Sequence, residues 1–115
     1  MTFEELITIT DKPVIAADIN GIITMINTAF SKDFGWQAEE LVGKPLTIII
    51  PSALRDAHQL GFSAYISTGK ASLLGQHLDL EIENSDGSLS LADHYILSGE
   101  IDGKKSFAAS ISPRK

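Results

Sequence analysis

The chain has 115 residues, 43% hydrophobic and 21% charged, which is typical of one folded globular domain. Its net charge of −6 and scattered basic residues make nucleic acid and anionic membranes poor direct partners. It contains 0 cysteines, which excludes disulfides, thiolate catalysis, cysteine-ligated zinc and cysteine–flavin photochemistry. No apolar run approaches the roughly 20 residues of a membrane span. Acids stand at residues 4 and 5, where a signal peptide has bases, so we expect a cytoplasmic location.

The N-terminal segment predicts a short helix. Thr2 is followed three residues later by Glu5, which is the spacing of a capping box, so the helix covers residues 3–9. Asp11-Lys12-Pro13 ends it, because proline cannot continue a helix.

A hairpin follows the helix. Residues 14–19 and 22–26 are rich in β-branched side chains, which favour strands. Asn20-Gly21 lies between them and tolerates the positive φ angles of a type I′ turn. The sequence therefore predicts two antiparallel strands joined by such a turn.

The middle of the chain is predicted to be helical and interrupted. Asn27 can cap a short helix that ends near Gly35, and a second helical turn covers residues 38–42. Ser52 is a good N-cap for the longest predicted helix, which runs to about residue 68.

Three strands are predicted after the helices, over residues 73–83, 88–97 and 106–112, with turns at residues 84–87 and 102–103. In the first strand three apolar side chains alternate with acids: Leu78, Leu80 and Ile82. Helices grouped between two runs of strands indicate an α+β domain, an antiparallel sheet with helices on one face.

This order of elements resembles the PAS family, and several local motifs support the resemblance. The matching segments, in chain order, are residues 14–23, Asn27-Thr28-Ala29-Phe30, Phe34-Gly35-Trp36, residues 39–45, Asp86-Gly87-Ser88 and residues 110–115. The resemblance implies a five-stranded antiparallel sheet with short helices packed on one face. It divides the chain into an N-terminal cap helix, residues 1–12, and the PAS domain, residues 13–115.

The resemblance also implies a function. We expect a sensory domain of bacterial signal transduction that binds a small ligand or cofactor in its cavity, dimerises, or does both. It would pass its signal to an effector such as a histidine kinase, a diguanylate cyclase or a transcription regulator. A cofactor-free dimerisation module is an alternative. No enzyme activity is expected, because the acids and histidines are isolated and no phosphate-binding loop is present.

His58 suggests a second alternative, a haem-based gas sensor. Bacterial oxygen-sensor haem PAS domains have a histidine at this place in the long helix, and it binds the haem iron. In those proteins an arginine on the next strand reaches the gas, but the matching residue here is Leu78, so that polar group is missing. A structural or partner-binding role for His58 is the competing interpretation, and a noncovalent flavin has less support. The candidate cofactor-binding residues are His58, which would be the metal ligand only if haem is bound, and Gly61, Phe62, Tyr65, Leu78 and His94.

The strand over residues 88–97 has two possible registers, and a one-residue slip exchanges its faces. The family pattern points Ser90, Ala92, His94 and Ile96 into the cavity, whereas hydrophobicity alone buries the other set. In the family register an apolar outer face remains for the N-terminal helix or a second subunit to cover. The candidate homodimer interface then consists of Phe3, Leu6, Leu89, Leu91, Tyr95 and Leu97.

Overall fold

The computed structural model describes residues 1–56 and 74–113, and these residues form a five-stranded antiparallel sheet with short helices. The strand order is β2-β1-β5-β4-β3. The strands are β1 (Val14–Asp18), β2 (Ile23–Ile26), β3 (His77–Glu83), β4 (Leu89–Ile101) and β5 (Lys104–Pro113). The expected α+β architecture is confirmed.

Five short helical elements accompany the sheet within residues 1–56 and 74–113. They are α1 (Phe3–Ile7), α2 (Thr28–Phe34), α3 (Ala38–Leu41) and two 3₁₀ helices, Leu46–Ile49 and Ser52–Leu54. No helix in the described part of the chain combines the length and apolar character that a membrane crossing requires.

The predicted helix starts in the first half of the chain are largely confirmed. Thr2 and Glu5 form the capping box of α1. The Asn27 side chain accepts a hydrogen bond from the amide of Phe30 and so caps α2, which Gly35 ends in the left-handed conformation. Ser52 is not the cap of the 3₁₀ helix in which it lies: it is the first residue of that helix, and Pro51 precedes it. From residue 57 onward the long helix predicted after Ser52 lies outside the described residues. Proline favours the extended backbone seen at that boundary.

The hairpin of β1 and β2 is confirmed, but its predicted turn type is not. Gly21 has φ +75°, whereas Asn20 does not have a positive φ, so the turn is not type I′. The Asp18 carboxylate instead accepts hydrogen bonds from the amides of Asn20 and Ile22, at 2.9 and 3.0 Å. A type I′ pair does occur at the second tight turn, where Asp102 and Gly103 have φ values of 52° and 77°.

The inner face of the sheet carries the main core. Fully buried aromatic and aliphatic side chains of the helices pack there against β1, β3, β4 and β5. The buried members are Ile15, Ile23, Phe30, Phe34, Leu41, Ile49, Ile82, Ala92, Ala109 and Ile111. Helices on this side therefore cover the part of the inner face that carries these side chains.

The outer face carries a second, smaller core under α1. Phe3 and Leu6 of the helix are buried against Val14, Ala16 and Ala108 of the sheet. Gly99 of β4 lies directly beneath the Phe3 ring, and a Cβ atom at that position would collide with the ring. The absence of a side chain at residue 99 thus lets the helix seat closely on the sheet.

Asn27 joins the two cores. Its Oδ1 accepts from the amides of Val14 and Phe30, both at 3.0 Å. Its Nδ2 donates to the carbonyls of Ile9 and Lys12, at 2.9 and 2.8 Å. One side chain therefore fixes the segment after α1, the start of β1 and the start of α2.

Candidate functional site

His94 is an ionisable side chain that the sheet places on its inner face. It lies in the middle of β4, between Leu78 of β3 and Ile111 of β5 in the strand register. Its neighbours two residues away, Ala92 and Ile96, belong to the main core. The family register of this strand is therefore the one that the structure adopts, and the pattern based on hydrophobicity alone was wrong.

The protonation of His94 follows from its surroundings. Burial lowers the pKa of the imidazole, while the Ala92 carbonyl and the Asp93 charge act in the opposite direction. The Nδ1 atom lies 3.1 Å from the Ala92 carbonyl oxygen, which can only accept. A neutral ring that donates from Nδ1 has its lone pair on Nε2. The inner face thus holds a hydrogen-bond acceptor that can also ligate a metal ion.

The other candidate cofactor residues divide into two groups. Leu78 is partly buried beside His94 and gives this part of the face an apolar wall. His58, Gly61, Phe62 and Tyr65 lie outside the described residues. Within residues 1–56 and 74–113, no group of three or more histidines, aspartates or glutamates could hold a metal ion.

Trp36 and the β3–β4 turn form one border of the inner face. The Trp36 side chain packs against the main core, and its Nε1 donates to the Glu83 carbonyl at 2.9 Å. The Asn84 amide donates to the hydroxyls of Ser88 and Ser90 at 3.0 and 2.9 Å. This border is therefore held by directed hydrogen bonds as well as by packing, and Trp36 fills an edge of the core.

Arg55 has a structural role in the described part of the chain. Its Nε donates to the carbonyls of Thr47 and Ile50, both at 2.9 Å, and so joins the two 3₁₀ helices. Its guanidinium also lies 3.9 Å from the Glu83 carboxylate. A single arginine in the first turn of a predicted helix gives no signal for this role, because its partners are backbone carbonyls.

The six candidate interface residues lie on the outer face but differ in accessibility. Phe3 and Leu6 belong to α1 and are buried between this helix and the sheet of the same protomer. Tyr95 and Leu97 are partly buried against the same small core. Leu89 and Leu91 are 49% and 48% exposed. Only the far end of this face thus presents leucines to solvent.

His77 also lies on the outer face, as the alternation of β3 predicts. Its Nδ1 is 2.8 Å from an Asp93 carboxylate oxygen. Its ring stacks on Tyr95 with centroids 4.8 Å apart. The two histidines of the described strands are therefore on opposite sides of the sheet.

An open groove lies beside the exposed leucines. It has a volume of about 390 Å³ and separates the second 3₁₀ helix from the β3–β4 hairpin. Its lining residues are Pro51, Ser52, Ala53, Leu54, Glu81, Glu83, Gly87 and Leu89. The groove combines exposed leucine side chains with two glutamates.

Comparison with known proteins links this geometry to a family. A family model described as "PAS fold" matches residues 2–80. The PAS domain of a protein from Desulfitobacterium hafniense superposes with a TM-score of 0.75, 21% identity and coverage of 97% of this chain and 98% of that one.

Two curated sensors share part of the sequence. The oxygen sensor protein DosP of Escherichia coli is 33% identical over 69 residues, which cover 60% of this chain and 9% of that protein. The sensor protein FixL of Bradyrhizobium diazoefficiens is 34% identical over 62 residues, which cover 54% of this chain and 12% of that protein. The chain spans about a tenth of the length of the curated relatives it matches.

Proposed function

Because the chain belongs to the PAS family, we propose that its sensory function is exercised on a small molecule held against the inner face of the sheet, beside His94. The observation that carries this proposal is the partly buried imidazole of His94, whose neighbours on the same strand face, Ala92 and Ile96, are apolar. A polar group in such a place lowers stability unless it is hydrogen-bonded, and its Nε2 remains available as an acceptor. A ligand with an apolar body and a hydroxyl or N–H donor fits this chemistry.

The similarity to sensors supports the same function. PAS domains are sensory modules that are generally not catalytic, and they commonly dimerise and link to effector domains in sensor proteins. For this chain we propose an effector such as a histidine kinase, a diguanylate cyclase or a transcription regulator. The signal would pass from the inner face through β4 to that effector.

Native mass spectrometry of the purified protein, followed by denaturation and identification of any released small molecule, tests the proposal. We expect His94→Leu to weaken binding of that molecule by about tenfold, the equivalent of one hydrogen bond. His77→Leu is the matched control, because His77 lies on the outer face, and it should bind as the wild type does. Protein that is empty in every preparation, or equal binding by both variants, contradicts the proposal.

A gas sensor is the second candidate, favoured by the similarity to an oxygen sensor. Haem would supply reversible gas binding at its iron, with His58 as the proposed axial ligand. The apolar wall at Leu78 suits a porphyrin but offers the gas no hydrogen bond. A visible spectrum after incubation with haem should show a Soret band that His58→Ala removes. An unchanged band in that variant argues against this candidate.

A further inference from the structure

The open groove between the second 3₁₀ helix and the β3–β4 hairpin is apolar at two points. Leu54 on the 3₁₀ helix is 42% exposed, and Leu89 at the start of β4 is 49% exposed. Both line the groove, which has a volume of about 390 Å³. Adjacent exposed apolar side chains in a concave surface are typical of a protein-interaction site.

The groove carries negative charge. Glu81 and Glu83 line it, and the register places them directly opposite Leu91 and Leu89 on the neighbouring strand. Arg55 is the base beside it, and its guanidinium is already bonded to two carbonyls and near Glu83. Among the described residues Glu81 makes no ion pair. Each exposed leucine at the start of β4 therefore has a carboxylate next to it.

The negative charge of the groove favours one kind of binding partner over another. A second copy of the chain would bring the same glutamates and a net charge of −6 to the groove, and like charges at an interface oppose association. A segment that places lysines or arginines beside apolar side chains satisfies both features of the surface. Such a segment would insert its apolar side chains between Leu54 and Leu89 and pair its bases with Glu81 and Glu83.

We propose that this groove binds a basic, amphipathic peptide segment of a partner protein. The proposal concerns the output of the domain and does not rest on a ligand beside His94, which lies on the other face of β4. The two can therefore fail independently: His94→Leu should leave peptide binding unchanged.

Fluorescence polarisation with a short labelled peptide of alternating lysine and leucine tests the proposal on the intact chain. We expect saturable binding that weakens with added salt, because exposed charges are screened. Glu81→Lys and Leu89→Ser should each weaken it by about tenfold, by charge reversal and by loss of apolar contact. Glu100→Lys and Ile19→Ser are matched controls at exposed sites away from the groove, and should bind normally.

Three results overturn the proposal. The first is equal binding of a peptide with serine in place of leucine, which would show attraction by charge alone. The second is concentration-dependent dimerisation that Leu89→Ser abolishes, which would make a second copy the occupant. The third is the absence of saturable binding. Circular dichroism confirms that each variant is folded, and Leu54→Ser replaces Leu89→Ser if that variant is not.

Discussion

The two faces of the sheet are covered by different amounts of protein. The inner face is covered by α2, α3 and the 3₁₀ helices, which bury Phe30, Phe34 and Leu41. Among the described residues, the five residues of α1 cover one end of the outer face, and Leu89 and Leu91 are exposed at the other. The same strands therefore serve as the wall of a core on one side and as a partly open surface on the other. The difference indicates that stability resides mainly on the inner face.

Leu41 and Leu6 give the most direct test of this comparison, because both are 0% exposed and they lie on opposite faces. We expect Leu41→Ala to lower the free energy of unfolding by about 2–5 kcal/mol, as for other leucines in a closed core. Leu6→Ala should cost about 1–2 kcal/mol, because a short terminal helix can detach locally. Urea denaturation measures both. Equal losses would show that the two faces contribute alike.

Asn27 connects the two faces, so its removal should affect both. Asn27→Ala should cost about 2–3 kcal/mol, through the lost helix cap and two unpaired carbonyls. Asn27→Asp keeps the acceptor for Val14 and Phe30 but loses the donor to Ile9 and Lys12. It should lose roughly half as much in the same urea titration. If Asn27→Asp loses as much stability as Asn27→Ala, the stabilisation comes mainly from the hydrogen bonds that Nδ2 donates to Ile9 and Lys12.

The pH dependence of stability reports on the inner face. Burial lowers the pKa of His94 from its ordinary value of 6.5, so below that pH the unfolded chain binds a proton that the folded protein does not. Stability should therefore fall as the pH drops below 6.5, by at most about 1.4 kcal/mol per pH unit from this group. Thermal unfolding between about pH 7 and about pH 5, the range in which histidines titrate, measures this effect. The stability of His94→Gln should change less with pH than that of the wild type. An identical slope would show that His94 is not desolvated.

Leu91 tests the open end of the outer face. Because its side chain is half exposed, Leu91→Ser should change the free energy of unfolding by less than about 0.5 kcal/mol. The next residue, Ala92, is in contrast fully buried, because its side chain lies on the inner face. A larger loss at Leu91 in a urea titration would mean that this end also contributes to the core.

Much of the fold could be predicted from local sequence signals. The capping box at Thr2, the cap at Asn27 and the alternation of β3 depend on a few neighbouring residues, and all are present in the structure. The turn at Asn20 was predicted with the wrong type, because the Asp18 carboxylate stabilises a different turn. Ser52 is the first residue of a 3₁₀ helix and not its cap, because Pro51 leads directly into that helix.

The candidate site was harder to predict, because it depends on which side of the sheet a strand presents. Leu89, Leu91, Tyr95 and Leu97 are more hydrophobic than the set containing Ser90 and His94, so their composition favours the wrong face. Pairing with β5 and the seating of α1 decide the register, and both are long-range. The family pattern supplied that long-range information. Arg55 was missed because backbone carbonyls leave no trace in a sequence.

The close approach of Phe3 and Gly99 has a consequence for how such chains can evolve. Residue 99 is separated from residue 3 by most of the chain, yet any side chain there would collide with the Phe3 ring. The two positions therefore cannot vary independently. A larger residue at 99 requires a smaller residue at position 3, or a movement of the Phe3 ring or of the N-terminal helix. Glycine at residue 99 is thus the sequence feature that accompanies the close packing of the N-terminal helix on the sheet.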